Sequence, residues 1–366
     1  MNAPDTAAAD RARGYGFGIV GAGVIGEVHA EAVGLVPGAS LAAVTDEVPG
    51  RAKALARTWG CAAEPDLAAL LARDDVDVVC VCVPTGLHAE VGIQAAAAGK
   101  HLIIEKPIDV SLDAADRLIA VAREHAVRVT VISQHRFDTG LDELRRLLDS
   151  GALGSLLLGE ASTKWYRTQV SYDSAAWRGT WAMDGGSLMN QGVHYLDLLL
   201  WAMGPAVEVT AVCATQVHQV EVEDTALALV TFASGAVGTV LSSTAAYPGF
   251  DQRLEITGTN GTVIVEDGII TRRALVNDPA DFRRPAPDEP GTSAAEPAAS
   301  ANPAGIDASS HAAQMADLLT AIENGREPAV TAQSARATLQ VIRAVYESAC
   351  TGRRVAIAAP GDARAR

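Results

Sequence analysis

Apolar residues follow two rhythms along this chain, and the rhythm changes once. In the first third, short near-continuous apolar runs at 16–20, 41–45, 77–83, 101–105 and 128–133 alternate with stretches of helical spacing. In the first such stretch Ile25, Val28, Ala32 and Leu35 share one face. Others follow at 51–59, 66–71 and 87–98, the last closed by Gly99. Ser111 caps a further helix running to about His125, with Leu112, Ala115, Leu118, Ile119 and Ala122 on its apolar face. Runs as continuous as 77–83 suit parallel strands buried on both faces. The alternation predicts an α/β doubly wound parallel sheet.

After Gly151 the period shortens to two. A helical stretch at 141–148 leads into runs at 156–163, 207–217, 225–232, 236–243, 253–257 and 262–265. Ser234-Gly235 and Asn260-Gly261 fall between runs, where hairpin turns belong. One helix spans 187–203 and stops at Gly204-Pro205; two more, 311–324 and 332–349, close the chain. These elements predict an α+β second domain: a large, mostly antiparallel open sheet with helices on one face and a candidate subunit interface on the other. Residues 281–305, rich in Pro, Ala and Ser, read as a mobile loop. The expected division is a tail at 1–14, a first domain at 15–136, a second at 137–350 and a tail at 351–366.

Composition narrows the partners. The formal net charge of −15 disfavours nucleic acid and anionic membranes. Five cysteines match no zinc or disulfide framework and fit a reducing cytoplasm. The first 16 residues carry acids and no apolar core, unlike a signal peptide, and no apolar run is long enough to cross a membrane.

The chemistry gathers first around G-x-G-x-x-G at Gly21, Gly23 and Gly26. It follows a strand, opens a helix, and precedes a second strand ending on Asp46. Gly21 permits the tight turn, Gly23 lets a pyrophosphate approach, and Gly26 lets helix and strand pack. The helix N-terminus faces the phosphates. Asp46 accepts from ribose hydroxyls and repels a 2′-phosphate, which argues for NAD over NADP. Arg51 either reaches the adenine edge or is a solvated helix residue. In such a sheet ligands bind beyond the strands' carboxyl ends. Three segments converge there: Pro84-Thr85-Gly86-Leu87-His88, Glu105-Lys106-Pro107 and Ser133-Gln134-His135-Arg136. Lys106 offers an ammonium to a developing alkoxide or carbonyl oxygen, or else is a strand-end surface lysine.

A second constellation runs from Gly185-Gly186 through Asn190 and His194 to Asp197. On a regular helix these three polar residues lie along one side. His194 suits a general base near neutral pH, or else is a satisfied core histidine. No H-x-x-x-H or H-E-x-x-H metal pattern and no G-x-S-x-G nucleophile motif occurs.

On these motifs, over about residues 14–350, the chain resembles the Gfo/Idh/MocA oxidoreductase family. The resemblance implies a Rossmann domain, a second domain whose sheet builds homodimers or homotetramers, and hydride transfer between a sugar or cyclitol carbon and NAD. It makes Lys106 the active-site lysine and His194 the base, with Asn190 beside them. The implied cofactor set is Gly21, Gly23, Val24, Ile25, Gly26, Asp46, Arg51, Pro84, Thr85, His88, Glu105, Lys106 and Gln134. Substrate contacts are expected from His135, Trp165, Tyr166, Arg167, Tyr172, Trp177, Arg178, Asn190 and His194, dense in rings for a chain 4% aromatic. Some of these rings can equally pack the domain core, and Trp181 and Tyr247 are further candidates. Inositol-dehydrogenase-like members carry aspartate where this chain has Asn190, and an amide cannot accept a proton. His194 and Lys106 must then carry more of the work, or Asp197 supports His194. Two other readings are a sugar-nucleotide dehydrogenase and a non-catalytic dinucleotide sensor.

Overall fold

The computed structural model describes residues 14–276 and 307–358. They form two units, residues 14–134 with 307–334 and residues 135–276 with 335–358. The expected mobile loop, 281–305, lies outside the described residues.

The first unit opens with β1 (Tyr15–Val20), α1 (Val24–Leu35), β2 (Ala39–Thr45), α2 (Pro49–Trp59), β3 (Ala62–Ala63) and α3 (Leu67–Leu71). It continues through β4 (Val78–Val81), α4 (His88–Ala97), β5 (His101–Ile104), α5 (Leu112–Glu124) and β6 (Val129–Val131). The six strands are parallel in the order β3-β2-β1-β4-β5-β6, so the order reverses between β1 and β4. That reversal opens a crevice at the strands' carboxyl ends. Phe17, Ile19, Val78, Cys80 and Ile103 are wholly buried, as a sheet covered on both faces requires.

A late helix, Ser309–Glu323, completes this unit. Its Met315, Leu318 and Leu319 share a core with Val28, Ala32 and Val33 of α1. Gln314 stitches it to β6: Nε2 donates to the Val131 carbonyl at 2.8 Å, and Oε1 accepts the Ser133 N–H at 3.0 Å. This corrects the expected division, which gave both closing helices to the second domain. Helix periodicity shows which face is buried but not which sheet buries it.

The second unit holds α6 (Thr139–Asp149), β7 (Leu156–Lys164), α7 (Gln169–Asp173), α8 (Val193–Met203), β8 (Ala206–Ala214), β9 (Thr225–Phe232) and β10 (Val237–Ser243). Then come β11 (Arg253–Gly258), β12 (Gly261–Glu266) and β13 (Ile269–Leu275). The Ser309–Glu323 helix, α9, precedes α10 (Ala332–Thr351) and β14 (Val355–Ala356), and the chain passes between units inside α10. The sheet order is β13-β12-β11-β7-β10-β9-β8-β14, antiparallel except for the parallel β7–β10 pair. α8 covers one face with buried Leu196, Leu198 and Leu199. Along β9 burial alternates, leaving Leu227 and Leu229 exposed on the outer face.

Candidate active site

At the end of β1 the chain turns through Gly21 with φ 103°, a left-handed value that costs glycine nothing. A Cβ on Gly21 would lie 2.4 Å from the Cys82 carbonyl oxygen, and one on Gly26 2.2 Å from that of Gly21. A Cβ on Gly23 would meet nothing within 4 Å. The first and third glycines are packed shut and the second faces open space, as a pyrophosphate cradle requires. Val24 and Ile25 open α1 behind it. Asp46 braces this loop: Oδ2 accepts the Ala22 N–H and Oδ1 the Val48 N–H, both at 2.7 Å. Carboxylate oxygens keep further lone pairs, so the brace can still receive a ribose hydroxyl. Arg51 is exposed on α2.

Beyond β4, Pro84 leads into a tight turn, Thr85–Leu87, with Thr85 buried. His88 is buried too, its Nδ1 2.7 Å from the Pro107 carbonyl and its Nε2 2.9 Å from that of Val83. Two carbonyls call for two N–H donors, but burial pulls the imidazole below its ordinary pKa. In the neutral form one contact is therefore a hydrogen bond and the other is not. His88 brackets the Lys106–Pro107 turn against β4, which leaves neither ring nitrogen to present to a cofactor.

Glu105, also buried, holds that turn from within. Oε2 accepts the Lys106 N–H at 3.1 Å, and Oε1 takes His29 Nε2 at 2.9 Å with His311 Nε2 at 3.9 Å. Burial pushes this carboxyl up, but the His29 hydrogen bond and the charges of His29, His311 and Lys106 outweigh it and hold the pKa at about 2. Lys106 itself is half-buried, and its peptide with Pro107 is cis. His29 and His311 come from α1 and α9 and obey no spacing rule, so no motif joins them to Glu105. The donor atoms of the three residues lie within 4.8 Å, a set a divalent cation can use as well as a hydrogen-bonded network can. Gln134 begins a short turn, Gln134–Phe137, after β6.

In the second unit, a π turn, Leu188–Gly192, precedes α8. Its wider winding means that Asn190 and His194 are not one plain α-turn apart, contrary to the expected single face. Asn190 Nδ2 donates to Oδ1 of buried Asp184, and its Oδ1 accepts from Gln191 Nε2 at 3.0 Å. Asp184 Oδ2 accepts the Gly179 N–H at 2.7 Å. His194 is 8% exposed and meets His135 edge-to-face, ring centroids 5.2 Å apart. Asp197, the expected support for His194, takes a bidentate Arg136 at 2.7 and 2.6 Å and the Thr338 hydroxyl at 3.1 Å. These contacts tie α8 to Arg136 and to α10.

Glu223 carries no signal in the sequence, since a Glu-Asp pair before a strand reads as solvated surface. It is 3% exposed and sits directly under the π turn. Oε1 accepts the Leu188 N–H at 2.9 Å and the Tyr346 hydroxyl at 3.0 Å, and its backbone carbonyl accepts the Ser187 N–H. A Cβ on Gly186 would fall 1.6 Å from Oε2, so only glycine fits. Burial pushes this carboxyl up to about 7 despite the two hydrogen bonds.

The aromatic segment divides. Tyr172 is held by Thr244 at 2.9 Å and by the His218 ring, and exposed Trp181 lies edge-on to Tyr346. Arg167 stacks over Trp165 at 5.1 Å and Arg178 over Trp177 at 4.7 Å, while Tyr166 meets Tyr247 edge-to-face. These ring–guanidinium pairs are half-buried and remain substrate candidates.

An oxidoreductase-family model with an NAD-binding Rossmann fold matches residues 15–133, and a GFO/IDH/MocA C-terminal domain model matches 141–264. An inositol 2-dehydrogenase of Rhizobium meliloti is 28% identical over 348 residues, 93% of this chain and 99% of that protein. The WlbA dehydrogenase of Bordetella pertussis, solved with NADH and UDP-GlcNAcA, superposes with a TM-score of 0.83 at 28% identity, covering 95% of this chain and 99% of that one. A levoglucosan dehydrogenase solved with NADH gives 0.84 at 23% identity over 95% and 100%, a likeness of fold. The chain belongs to the GFO/IDH/MocA family and is an NAD-dependent oxidoreductase.

Proposed function

We propose that this enzyme oxidises a secondary alcohol of a sugar or cyclitol with NAD. The observation that carries the cofactor assignment is the glycine loop, shut at Gly21 and Gly26, open at Gly23 and braced by Asp46. The inositol and sugar dehydrogenases among its relatives support the substrate class. A bound nicotinamide supplies the acceptor for the carbinol hydride. In this reading His194 takes the hydroxyl proton, the Lys106 ammonium stabilises the oxygen as charge builds, and Asn190 orients the hydroxyl. His135, Trp165, Tyr166, Arg167, Trp177 and Arg178 contact substrate. The WlbA likeness favours one second reading, a sugar-nucleotide substrate.

Outer-face residues Val212, Leu227, Leu229 and Val237 are exposed and apolar, which supports a homodimer or homotetramer formed through that sheet. Among the described residues no helix is long and apolar enough to cross a membrane; we place the enzyme in the cytoplasm, where five free cysteines stay reduced. The test is a panel of inositols, levoglucosan, free sugars and UDP-GlcNAcA with NAD, followed by nicotinamide absorbance. His194→Ala should lower turnover by roughly 10²–10⁴ while NAD still binds. No reduction with any polyol or nucleotide sugar would overturn this substrate class.

A further inference from the structure

Alcohol oxidation releases a proton as well as a hydride, and His194, at 8% exposure, is badly placed to hand it to water. Asn190, in the π turn before that helix, is an amide and holds no exchangeable charge, and Asp197 on the helix binds Arg136 and Thr338. The titratable ring against His194 is His135, with planes at 86° and centroids 5.2 Å apart. His135 opens outward: its side chain is 25% exposed, and Nδ1 lies 2.7 Å from Oδ2 of Asp138, itself 18% exposed.

Acids continue from there to the surface. Asp138 packs against the β12–β13 turn, where a Cβ on Gly268 would lie 2.5 Å from its Oδ2. That turn carries Asp267, exposed as a residue but with its carboxyl partly enclosed; that desolvation and Asp251 beside it push the carboxyl above the usual range, and His135 pulls it back. Asp251 is exposed as well.

We propose that His135 and Asp138 form the route by which the proton collected by His194 reaches solvent. The proposal rests on His194 being the base. Asp138 holds His135 as the Nδ1–H tautomer, in which Nε2 is the basic nitrogen. The His194 imidazolium gives its proton to His135 Nε2, and the Nδ1 proton moves to the Asp138 carboxylate. Asp138 then releases it to water, and the original tautomer returns by exchange with solvent. The sum is one hydride to nicotinamide, one proton to water and a carbonyl product; no other reactant is needed.

Stopped-flow reduction with the best substrate of the panel, in weak buffer with a pH indicator, reads proton release against nicotinamide absorbance in one trace. In the parent the two keep pace. In His135→Gln, proton release should lag nicotinamide reduction by about tenfold or more, whatever the reduction rate, and added imidazole should abolish the lag. Nitrogen-15 histidine NMR of the cofactor-free protein should show His135 as the Nδ1–H tautomer, and Asp138→Asn should remove that preference. Proton release in step with reduction in His135→Gln, or an Nε2–H tautomer in the parent, overturns the relay. If His194→Ala is crippled while His135→Gln shows no lag, only the relay falls. If His194→Ala turns over normally, the base assignment falls first.

Discussion

Replacing Glu223 by glutamine should make the enzyme's stability less dependent on pH. The buried carboxyl is displaced from 4.5 to about 7, which is about 3 kcal/mol between its two protonation states. The cause is desolvation: Oε2 is buried with no hydrogen-bond partner, so ionising the group leaves a charge that nothing on that side satisfies. Because the folded pKa is raised, folded Glu223 holds its proton more tightly than the unfolded chain does. Its contribution is fully present below about pH 4.5 and is lost as pH climbs through about 7.

Glutamine is neutral throughout and keeps an acceptor for Leu188 and Tyr346. Urea denaturation of parent and Glu223→Gln at pH 5 and pH 8 isolates the effect. The variant should gain about 2.5 kcal/mol on the parent between the two. A difference that stays flat would mean that Glu223 titrates at an ordinary value. A difference that shifts towards the parent with rising pH would mean that the carboxylate is stabilised where it lies.

Two further outcomes follow from close contacts. Gly186→Ala drives a methyl group into Glu223 Oε2, so it should cost about 1–3 kcal/mol and lower turnover, and a second change, Glu223→Ala, should recover part of both. NAD should bind more tightly than NADP, and Asp46→Asn should narrow the gap when both are titrated by fluorescence; equal parent affinities would show that Asp46 only braces the loop.

What was legible in the sequence was local or periodic. Strands β1 and β2, helix α1, the glycine loop and Asp46 lie within about thirty residues, where turn chemistry and hydrophobic period decide the outcome. The outer sheet was legible as alternation, as in β9. β13 was missed because Arg272 and Arg273 interrupt its pattern, although Asp267-Gly268 before it is a hairpin signal, with φ 42° and 78°. The π turn has no signature in residue spacing. His29 with Glu105 and Glu223 with Tyr346 depend on tertiary contacts across 76 and 123 positions. Both use a buried carboxylate, the residue type that composition most strongly assigns to the surface.

Asn190 stands where the resemblance implies an aspartate. In this protein a carboxylate is present but one step further back: Asp184 is 2% exposed and receives the Asn190 amide directly. Restoring the aspartate by Asn190→Asp would bring two carboxylates into hydrogen-bond contact in a buried place. Two such groups cannot both ionise cheaply, so one must keep a proton and its pKa must rise. A raised folded pKa means stability that is present at low pH and lost as pH rises. Asn190→Asp should therefore be tolerated near pH 5 and destabilised near pH 8, by about 1–3 kcal/mol if one pKa rises by one to two units. Turnover at pH 8 should fall, because the amide that orients the hydroxyl is gone and the new acid competes for the same hydrogen bonds. Urea denaturation at the two pH values, with initial rates on the panel's best substrate, measures both effects. A variant as stable as the parent at pH 8 and faster in turnover would show that Asp184 moves aside, and that the amide is not what fits this site to its substrate.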